Sequence, residues 1–158
     1  ADYNAEFQDE LITLLTTSET DMTIFYRNLA SILKSDTPEI ALAKIEIAFY
    51  EPSKINATLK TIWVNWMESY LEQLKAETNS NEQRKKAMNL VNPKYVLRNY
   101  MAQLAIEAAE KEDFNLINEL YILLKQPYDE QPEFEKWFAK RPDWARNKIG
   151  CSMLSCSS

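Results

Sequence analysis

The chain is divided into stretches in which apolar residues recur every three or four positions, a spacing typical of amphipathic helices. The first stretch covers residues 4–17, and Thr20 or Asp21 can cap the second. No segment shows a convincing strand pattern, and there is no 34-residue repeat of the kind that builds helical solenoids. The sequence therefore predicts an all-α fold of about seven to nine helices with no sheet.

Further helix boundaries follow from capping residues and prolines. Ser, Thr, Asn and Asp accept backbone N–H groups of a first helical turn, and proline fits the first helical position. Helices are predicted from Thr37-Pro38-Glu39 toward Phe49, from Ser53 to about Lys75, from Ser80 through Leu90, from Asn92-Pro93 to about Lys111 and from Asp113 to Lys125. After these, Pro127, Pro132 and Pro142 favour a chain that follows a surface instead of forming long helices.

The heaviest aromatic cluster lies on the predicted helix after Ser53. Trp63, Trp66 and Tyr70 are spaced i, i+3 and i+7, which places them on one helix face. Such a stripe is typical of a buried core or an interdomain contact. The alternative is a stand-alone interaction module that uses the Trp63/Trp66 face as a partner groove, in which case the stripe would be exposed.

Composition excludes several kinds of active site. The chain has one glycine, Gly150, and no histidine. A phosphate-cradling loop needs several glycines, and histidine is required for Ser-His-Asp and Cys-His catalysis and for most zinc sites. Carboxylate chemistry stays formally open, but with 24 Asp and Glu residues most carboxylates are expected on solvated helix faces. We therefore expect no catalytic, cofactor-binding or metal-binding residue in this chain.

The net charge, the length of the apolar runs and the number of cysteines indicate which partners and which compartment to expect. A net charge of −6 argues against a nucleic-acid surface, and no apolar run approaches the ~20 residues of a membrane span. Two cysteines suit a reducing compartment. The start Ala1-Asp2-Tyr3 is expected to be the edge of an excised domain.

Several segments of the C-terminal half together point to a family. They read Val91-Asn92-Pro93-Lys94-Tyr95-Val96-Leu97-Arg98-Asn99-Tyr100-Met101, then Pro127-Tyr128-Asp129-Glu130-Gln131-Pro132, Arg141-Pro142-Asp143-Trp144-Ala145 and finally Ser155-Cys156-Ser157-Ser158. In this order and spacing they resemble the C-terminal end of the selenoprotein O family, the protein adenylyltransferases called SelO or, in bacteria, YdiU. The resemblance is specific from about residue 88 onward, and residues 6–75 are compatible with the preceding helical region.

The resemblance implies an enzyme with a protein-kinase-like (pseudokinase) fold. Such proteins bind ATP in an inverted orientation and, with Mg²⁺ or Mn²⁺, transfer AMP to Ser, Thr or Tyr of other proteins. Their nucleotide-binding and metal-binding residues lie N-terminal to the matched part, so none carries over to this chain. The expected partners are the N-terminal kinase-like region of the same protein and the protein substrates, with no nucleic acid and no membrane.

The resemblance also divides the chain and suggests a location. Residues 1–140 are expected to form a helical C-terminal domain, and residues 141–158 an extended tail. The expected location is the cytoplasm of a bacterium, or the mitochondrion if the source is a eukaryote.

The tail carries the candidate functional residues. Cys156 occupies the position that is selenocysteine in many animal members of the family, where it is associated with redox control through a disulfide to the catalytic region. Cys151 is an additional cysteine that could pair with Cys156 in a small loop. A third interpretation, a terminal dithiol oxidoreductase, is weakened because C-x₄-C is not the C-x-x-C of thioredoxin-like enzymes.

Other residues of the matched segments have structural explanations. Arg98 could bind phosphate, but a buried pairing with a helix carboxylate is favoured. Asn92 and Pro93 form a distinctive pair that helix capping explains fully. Trp144 is expected to anchor the tail to the body.

Overall fold

The computed structural model describes residues 5–148. Within this range the chain forms seven α-helices, four short 3₁₀ helices and no strand beyond one isolated bridge between Thr20 and Phe49. The α-helices are α1 (Ala5–Thr17), α2 (Met22–Leu29), α3 (Pro38–Ile45), α4 (Ala57–Ala76), α5 (Asn81–Val91), α6 (Asn99–Ala109) and α7 (Asn115–Leu124). The 3₁₀ helices are Glu46–Ala48, Pro52–Lys54, Pro132–Trp137 and Asp143–Ala145. The all-α prediction is confirmed.

Three predicted caps are present. Asp21, Thr37 and Ser80 each accept a backbone N–H of the first turn after them, in α2, α3 and α5. At α5 the cap is reciprocal, because the Gln83 side chain accepts the Ser80 backbone N–H at 2.9 Å. These local hydrogen bonds need no tertiary context, which explains why the sequence alone predicted them.

Two predicted helix starts are wrong. Ser53 lies in a 3₁₀ turn, and α4 is capped instead by Asn56, whose Oδ1 accepts the Leu59 N–H at 2.9 Å. Asn92 and Pro93 do not open a helix; Asn92 comes directly after the end of α5, and α6 begins only at Asn99.

The segment between α5 and α6 is held by contacts distant in sequence. The backbone N–H groups of Lys94 and Tyr95 both donate to the Pro127 carbonyl oxygen, at 2.8 and 3.0 Å. The Tyr95 hydroxyl donates to the carbonyl oxygens of Glu130 and Gln131 at 2.7 and 3.0 Å. These bonds require a non-helical backbone here, and sequence periodicity cannot reveal them.

The chain divides into two compact units, one ending at Asn92 and the other beginning at Pro93. The first unit has an aromatic core centred on Trp63, which is fully buried. The Trp63 ring lies 5.9 Å from Phe25, 5.5 Å from Phe49 and 6.0 Å from Trp66 between centroids. Its Nε1 donates to Ser18 Oγ at 2.8 Å, so the indole N–H is satisfied inside the core.

Trp66 also belongs to the core of the first unit. Only 1% of its surface is exposed, and its ring stacks between Phe7 at 4.7 Å and Tyr70 at 5.3 Å. The core interpretation of the aromatic stripe is therefore confirmed. The alternative of an exposed Trp63/Trp66 partner groove is wrong, because neither indole reaches the surface.

Two buried arginines fasten α5 within the same unit. Arg84 donates to the Ile32 carbonyl and, at 3.3 Å, to the Tyr70 hydroxyl. Arg27 donates through Nη1 to the carbonyl oxygens of Asn89 and Asn92, at 3.0 and 2.9 Å. Arg27 thus satisfies carbonyl groups at the C-terminal end of α5, where the helix itself offers no partners.

The second unit packs a smaller core around α6 and α7. Its buried members are Tyr95, Tyr100, Met101, Ala105, Leu120, Leu123 and Ala145. Phe134, Trp137 and Phe138 of the 3₁₀ segment pack against it and are partly buried. The prediction that the proline-rich stretch runs along a surface agrees with this course of the chain.

Candidate functional site

The predicted redox residues, Cys151 and Cys156, lie outside the described residues. The structure does describe how the chain leading to them is attached. Trp144 meets Tyr100 of α6 edge to face at 6.1 Å, and Lys148 Nζ pairs with Glu107 Oε1 at 2.5 Å. Lys148 also lies over the Trp144 ring, 5.2 Å from its centroid. We call Tyr100, Glu107, Trp144 and Lys148 the tail anchor.

The tail anchor combines an apolar and an ionic contact. Hydrogen bonds from Lys148 and then from Gln103 lower the pKa of Glu107, so that this carboxyl stays ionised under all but acid conditions. Trp144 is about half exposed, although both Tyr100 and Lys148 contact its ring. The contact of Trp144 with Tyr100 of α6 agrees with the expected anchoring role.

Lys94 is a buried lysine that contacts the segment after α7. Lys94 is 7% exposed, and its Nζ contacts Glu135 Oε2 at 2.6 Å, Glu130 Oε2 at 3.0 Å and the Glu130 carbonyl at 3.1 Å. Its ammonium group also lies 5.3 Å from the Phe138 ring centroid. Lys94 therefore holds the segment after α7 with all three of its donors.

The charge of Lys94 is stabilised by its neighbours. Burial by itself would lower the pKa of Lys94, but hydrogen bonds from the ammonium to Glu135 and Glu130, together with the charge of Glu130, outweigh it and raise the pKa. The lysine stays protonated at neutral pH. It can act as a structural cation, not as a general base.

A third polar contact ties the 3₁₀ segment to α7. Trp137 Nε1 donates to Glu119 Oε1 at 2.6 Å, and Lys136 Nζ reaches the same oxygen at 2.6 Å. Hydrogen bonding from Lys136 lowers the pKa of Glu119, against the opposing effect of partial burial. Charge-assisted hydrogen bonds of this length are among the stronger polar contacts in proteins.

The remaining candidates from the sequence occupy structural positions. Arg98 is buried immediately before α6, and its pairing with a helix carboxylate stays a prediction. Asn92 donates through Nδ2 to the Met88 carbonyl at 2.9 Å, which closes the end of α5. Within residues 5–148, the structure brings neither Arg98 nor Asn92 to a metal-binding cluster.

The described residues contain no cluster of potential metal ligands. Between residues 5 and 148, no group of three or more His, Cys, Asp or Glu side chains is arranged to hold a metal ion. The single glycine, Gly150, leaves no glycine-rich loop to approach a phosphate. In the same range, no helix combines the length and the apolar character that crossing a membrane requires.

The outer side of α7 is apolar and exposed. Phe114 just before the helix, and Ile117, Tyr121 and Ile122 within it, are between 42% and 65% exposed. At 100° per residue, Phe114, Ile117 and Tyr121 fall within about 60° of one another around the helix axis. The buried Leu123 lies on the far side, and the buried Leu120 lies about 60° beyond Ile117. We call Phe114, Ile117, Tyr121 and Ile122 the α7 outer face.

Sequence reasoning missed both Lys94 and the α7 outer face. Nothing local identifies Lys94, because its partners lie 36 and 41 positions away. The α7 outer face did leave a signal: seven of the ten residues of α7 are apolar, more than one buried stripe needs.

Comparison with known proteins places these observations in a family context. The family profile described as "Protein adenylyltransferase SelO" matches residues 2–125. A "Protein nucleotidyltransferase YdiU" of Flavobacterium johnsoniae is 60% identical over 150 residues, which are 95% of this chain and 29% of that protein. Proteins of the same name from Aromatoleum aromaticum and Rhodopirellula baltica are 46% and 47% identical over 99% and 97% of this chain, and 29% and 30% of their own length. The chain spans less than a third of the length of these relatives.

Proposed function

The chain belongs to the SelO family of protein adenylyltransferases, and from that premise we propose that it is the C-terminal helical domain of a longer enzyme. The full-length protein would transfer AMP from ATP, with Mg²⁺ or Mn²⁺, to Ser, Thr or Tyr hydroxyls of other proteins. The observation that carries this proposal is the similarity to relatives named protein nucleotidyltransferases along almost the whole of this chain.

The proposal assigns the chemistry to the rest of the polypeptide. This assignment is supported by the length of the relatives, since more than two thirds of the Flavobacterium protein lies outside the matched part. We expect that remainder to have a kinase-like fold, to act in the bacterial cytoplasm and to be the main partner of this chain.

We expect this chain to have two roles in the longer enzyme. One is to contribute helical packing surfaces to the rest of the enzyme. The other is to carry Cys156 as a regulatory thiol at the end of an anchored tail. Oxidation would join Cys156 to a second cysteine of the catalytic region, with two electrons and two protons passing to a small-molecule disulfide.

The activity test uses the full-length protein. We expect it to add AMP to acceptor proteins in the presence of ATP and Mg²⁺, detected as the matching mass increment on Ser, Thr or Tyr. The 158-residue chain by itself should transfer none. Transfer by the 158-residue chain, or none by the full-length protein with either metal, would contradict the proposal.

The regulatory thiol has its own matched control. In the full-length protein, activity after treatment with oxidised glutathione should recover on addition of a thiol reductant. We expect Cys156→Ser to remove this reversible effect and Cys151→Ser to leave it in place. The reverse pattern would assign the switch to Cys151.

A further inference from the structure

We propose that the α7 outer face is a docking surface covered by the part of the longer polypeptide that lies outside these 158 residues. The inference rests on the proposed function in one respect, namely that this chain is one part of a longer protein. It adds the surface through which the two parts meet.

The first support is the composition of α7 itself. A helix that is apolar on one side only faces a core with that side, whereas a helix that is apolar all round is normally buried. Leu120 and Leu123 already fill the core of the second unit, yet Tyr121 and Ile122 beside them are 65% and 56% exposed. Tyr121 and Ile122 are therefore large apolar side chains of α7 that the core of the second unit does not cover.

The second support is how the exposed side chains are distributed. Four large apolar side chains fall within nine consecutive residues, Phe114 to Ile122, and three of them share one side of the helix. Exposed apolar residues scattered singly are normal on any protein, but contiguous ones mark interaction surfaces. Tyr121 also has the character of an interface anchor, since aromatic residues with a polar tip dominate such contacts.

The size of the surface decides which occupant fits it. A ten-residue helix is about 15 Å long, and its outer side falls well short of the roughly 800 Å² per partner that a standard interface buries. A free second copy of the chain would therefore bind weakly through it. A segment of the same polypeptide is present at high effective concentration and needs no such area.

The lengths of the relatives show that they contain a long polypeptide outside the part that matches this chain. This chain accounts for only 29% of the Flavobacterium and Aromatoleum proteins, so most of each polypeptide must pack somewhere. The contacting surface should be apolar at its centre. At its rim we expect an acidic or carbonyl group near Lys125, whose Nζ lies 5.5 Å from the Tyr121 ring centroid.

Site-specific photo-crosslinking in the full-length protein tests the inference. A photoreactive phenylalanine analogue replaces Tyr121 or, as matched control, the exposed Glu133 of the same unit. We expect position 121 to yield intramolecular cross-links to residues outside the 158, with at least fivefold less product from position 133. Cross-links from position 121 to a second copy, to residues 5–92, or at a yield no higher than position 133 would each overturn the inference.

A charge substitution gives an independent measurement. Tyr121→Glu should leave the melting temperature of the 158-residue chain within about two degrees, because the side chain is exposed there. In the full-length protein the same change should lower the melting temperature by several degrees and speed proteolytic release of the C-terminal region. Equal small effects in both proteins would refute the docking surface.

The cross-linking result is separable from the proposed activity. It needs neither ATP nor an acceptor protein. A full-length protein that forms the cross-link but transfers no AMP would contradict the proposed function and keep the docking surface, and the opposite outcome would do the reverse.

Discussion

At the scale of single residues, buried cations link distant parts of the chain inside each unit. Arg84 reaches back to the Ile32 carbonyl in the first unit, and Lys94 reaches forward to Glu130 and Glu135 in the second. Each cation donates to oxygen atoms that lie 35 or more positions away. Cations of this kind add charge-assisted hydrogen bonds to the apolar contacts that hold the connecting segments.

Replacing Lys94 tests this view of the second unit. Lys94→Met keeps the volume of the side-chain stem but removes its hydrogen bonds and ion pairs. We expect the free energy of unfolding to fall by about 1–2 kcal/mol, since Glu130 and Glu135 are exposed and stay hydrated when the cation is gone. Urea unfolding at neutral pH measures the loss, and Lys85→Met on the exposed side of α5 is the control with no expected change.

The pH dependence of the Lys94 effect has a defined sign. The pKa of Lys94 is raised in the folded protein above 10.5, so its stabilising contribution is complete below that value and disappears as pH rises through the folded pKa. The stability difference between the wild type and Lys94→Met should therefore be constant between pH 6 and 9 and should shrink above about pH 10.5. A difference that grew with rising pH would contradict the assignment.

At the scale of elements, a local side-chain cap marks the start of four of the seven α-helices between residues 5 and 148, namely α2, α3, α4 and α5. The Ser80 cap of α5 is the clearest case, because it forms a reciprocal pair with Gln83. Ser80→Ala should lower the free energy of unfolding by about 1 kcal/mol. Ser53→Ala is the matched control, since Ser53 caps no helix and the change should cost less than about 0.5 kcal/mol. Equal losses in denaturant titrations of the two variants would show that the Ser80 cap contributes nothing specific.

Three helix starts were predictable from sequence because their caps are local. Asp21, Thr37 and Ser80 each accept the backbone N–H of the residue three positions later. Asn92-Pro93 has the same local pattern and failed, because Pro127, more than 30 positions later, accepts the N–H groups of the next two residues. Periodicity also identified Trp63 and Trp66 as core, but it could not separate the buried side of α7 from its exposed one.

At the scale of the whole molecule, the two compact units differ in how they are stabilised. The aromatic core lies within residues 5–92, as do the hydrogen bonds of Arg27 and Arg84 described above. The second unit has a smaller core and relies more on charged contacts such as those of Lys94 and Glu119. The first unit therefore has the core that an independently folding domain requires.

Residues 1–92 alone should fold. We expect this shorter chain to melt cooperatively, with a near-ultraviolet circular dichroism signal from its buried tryptophans. Trp63→Ala in the same chain should cost about 3–5 kcal/mol and abolish that signal. A helical chain without a cooperative transition or ordered tryptophans would show that the first unit depends on residues C-terminal to Asn92.

The tail anchor limits the distance that Cys151 and Cys156 can reach from α6. Because Lys148 is held on α6 through Glu107, the position of Lys148 limits how far from α6 the two cysteines can lie. A polypeptide spans at most about 3.3–3.6 Å per residue, so the Cα of Cys151 stays within roughly 11 Å of Lys148, and that of Cys156 within roughly 29 Å. A cysteine can form a disulfide with Cys156 only if its Cα lies within that distance plus the roughly 7 Å that a disulfide spans. Removing the Glu107 contact would free Lys148 and extend this range without altering either thiol.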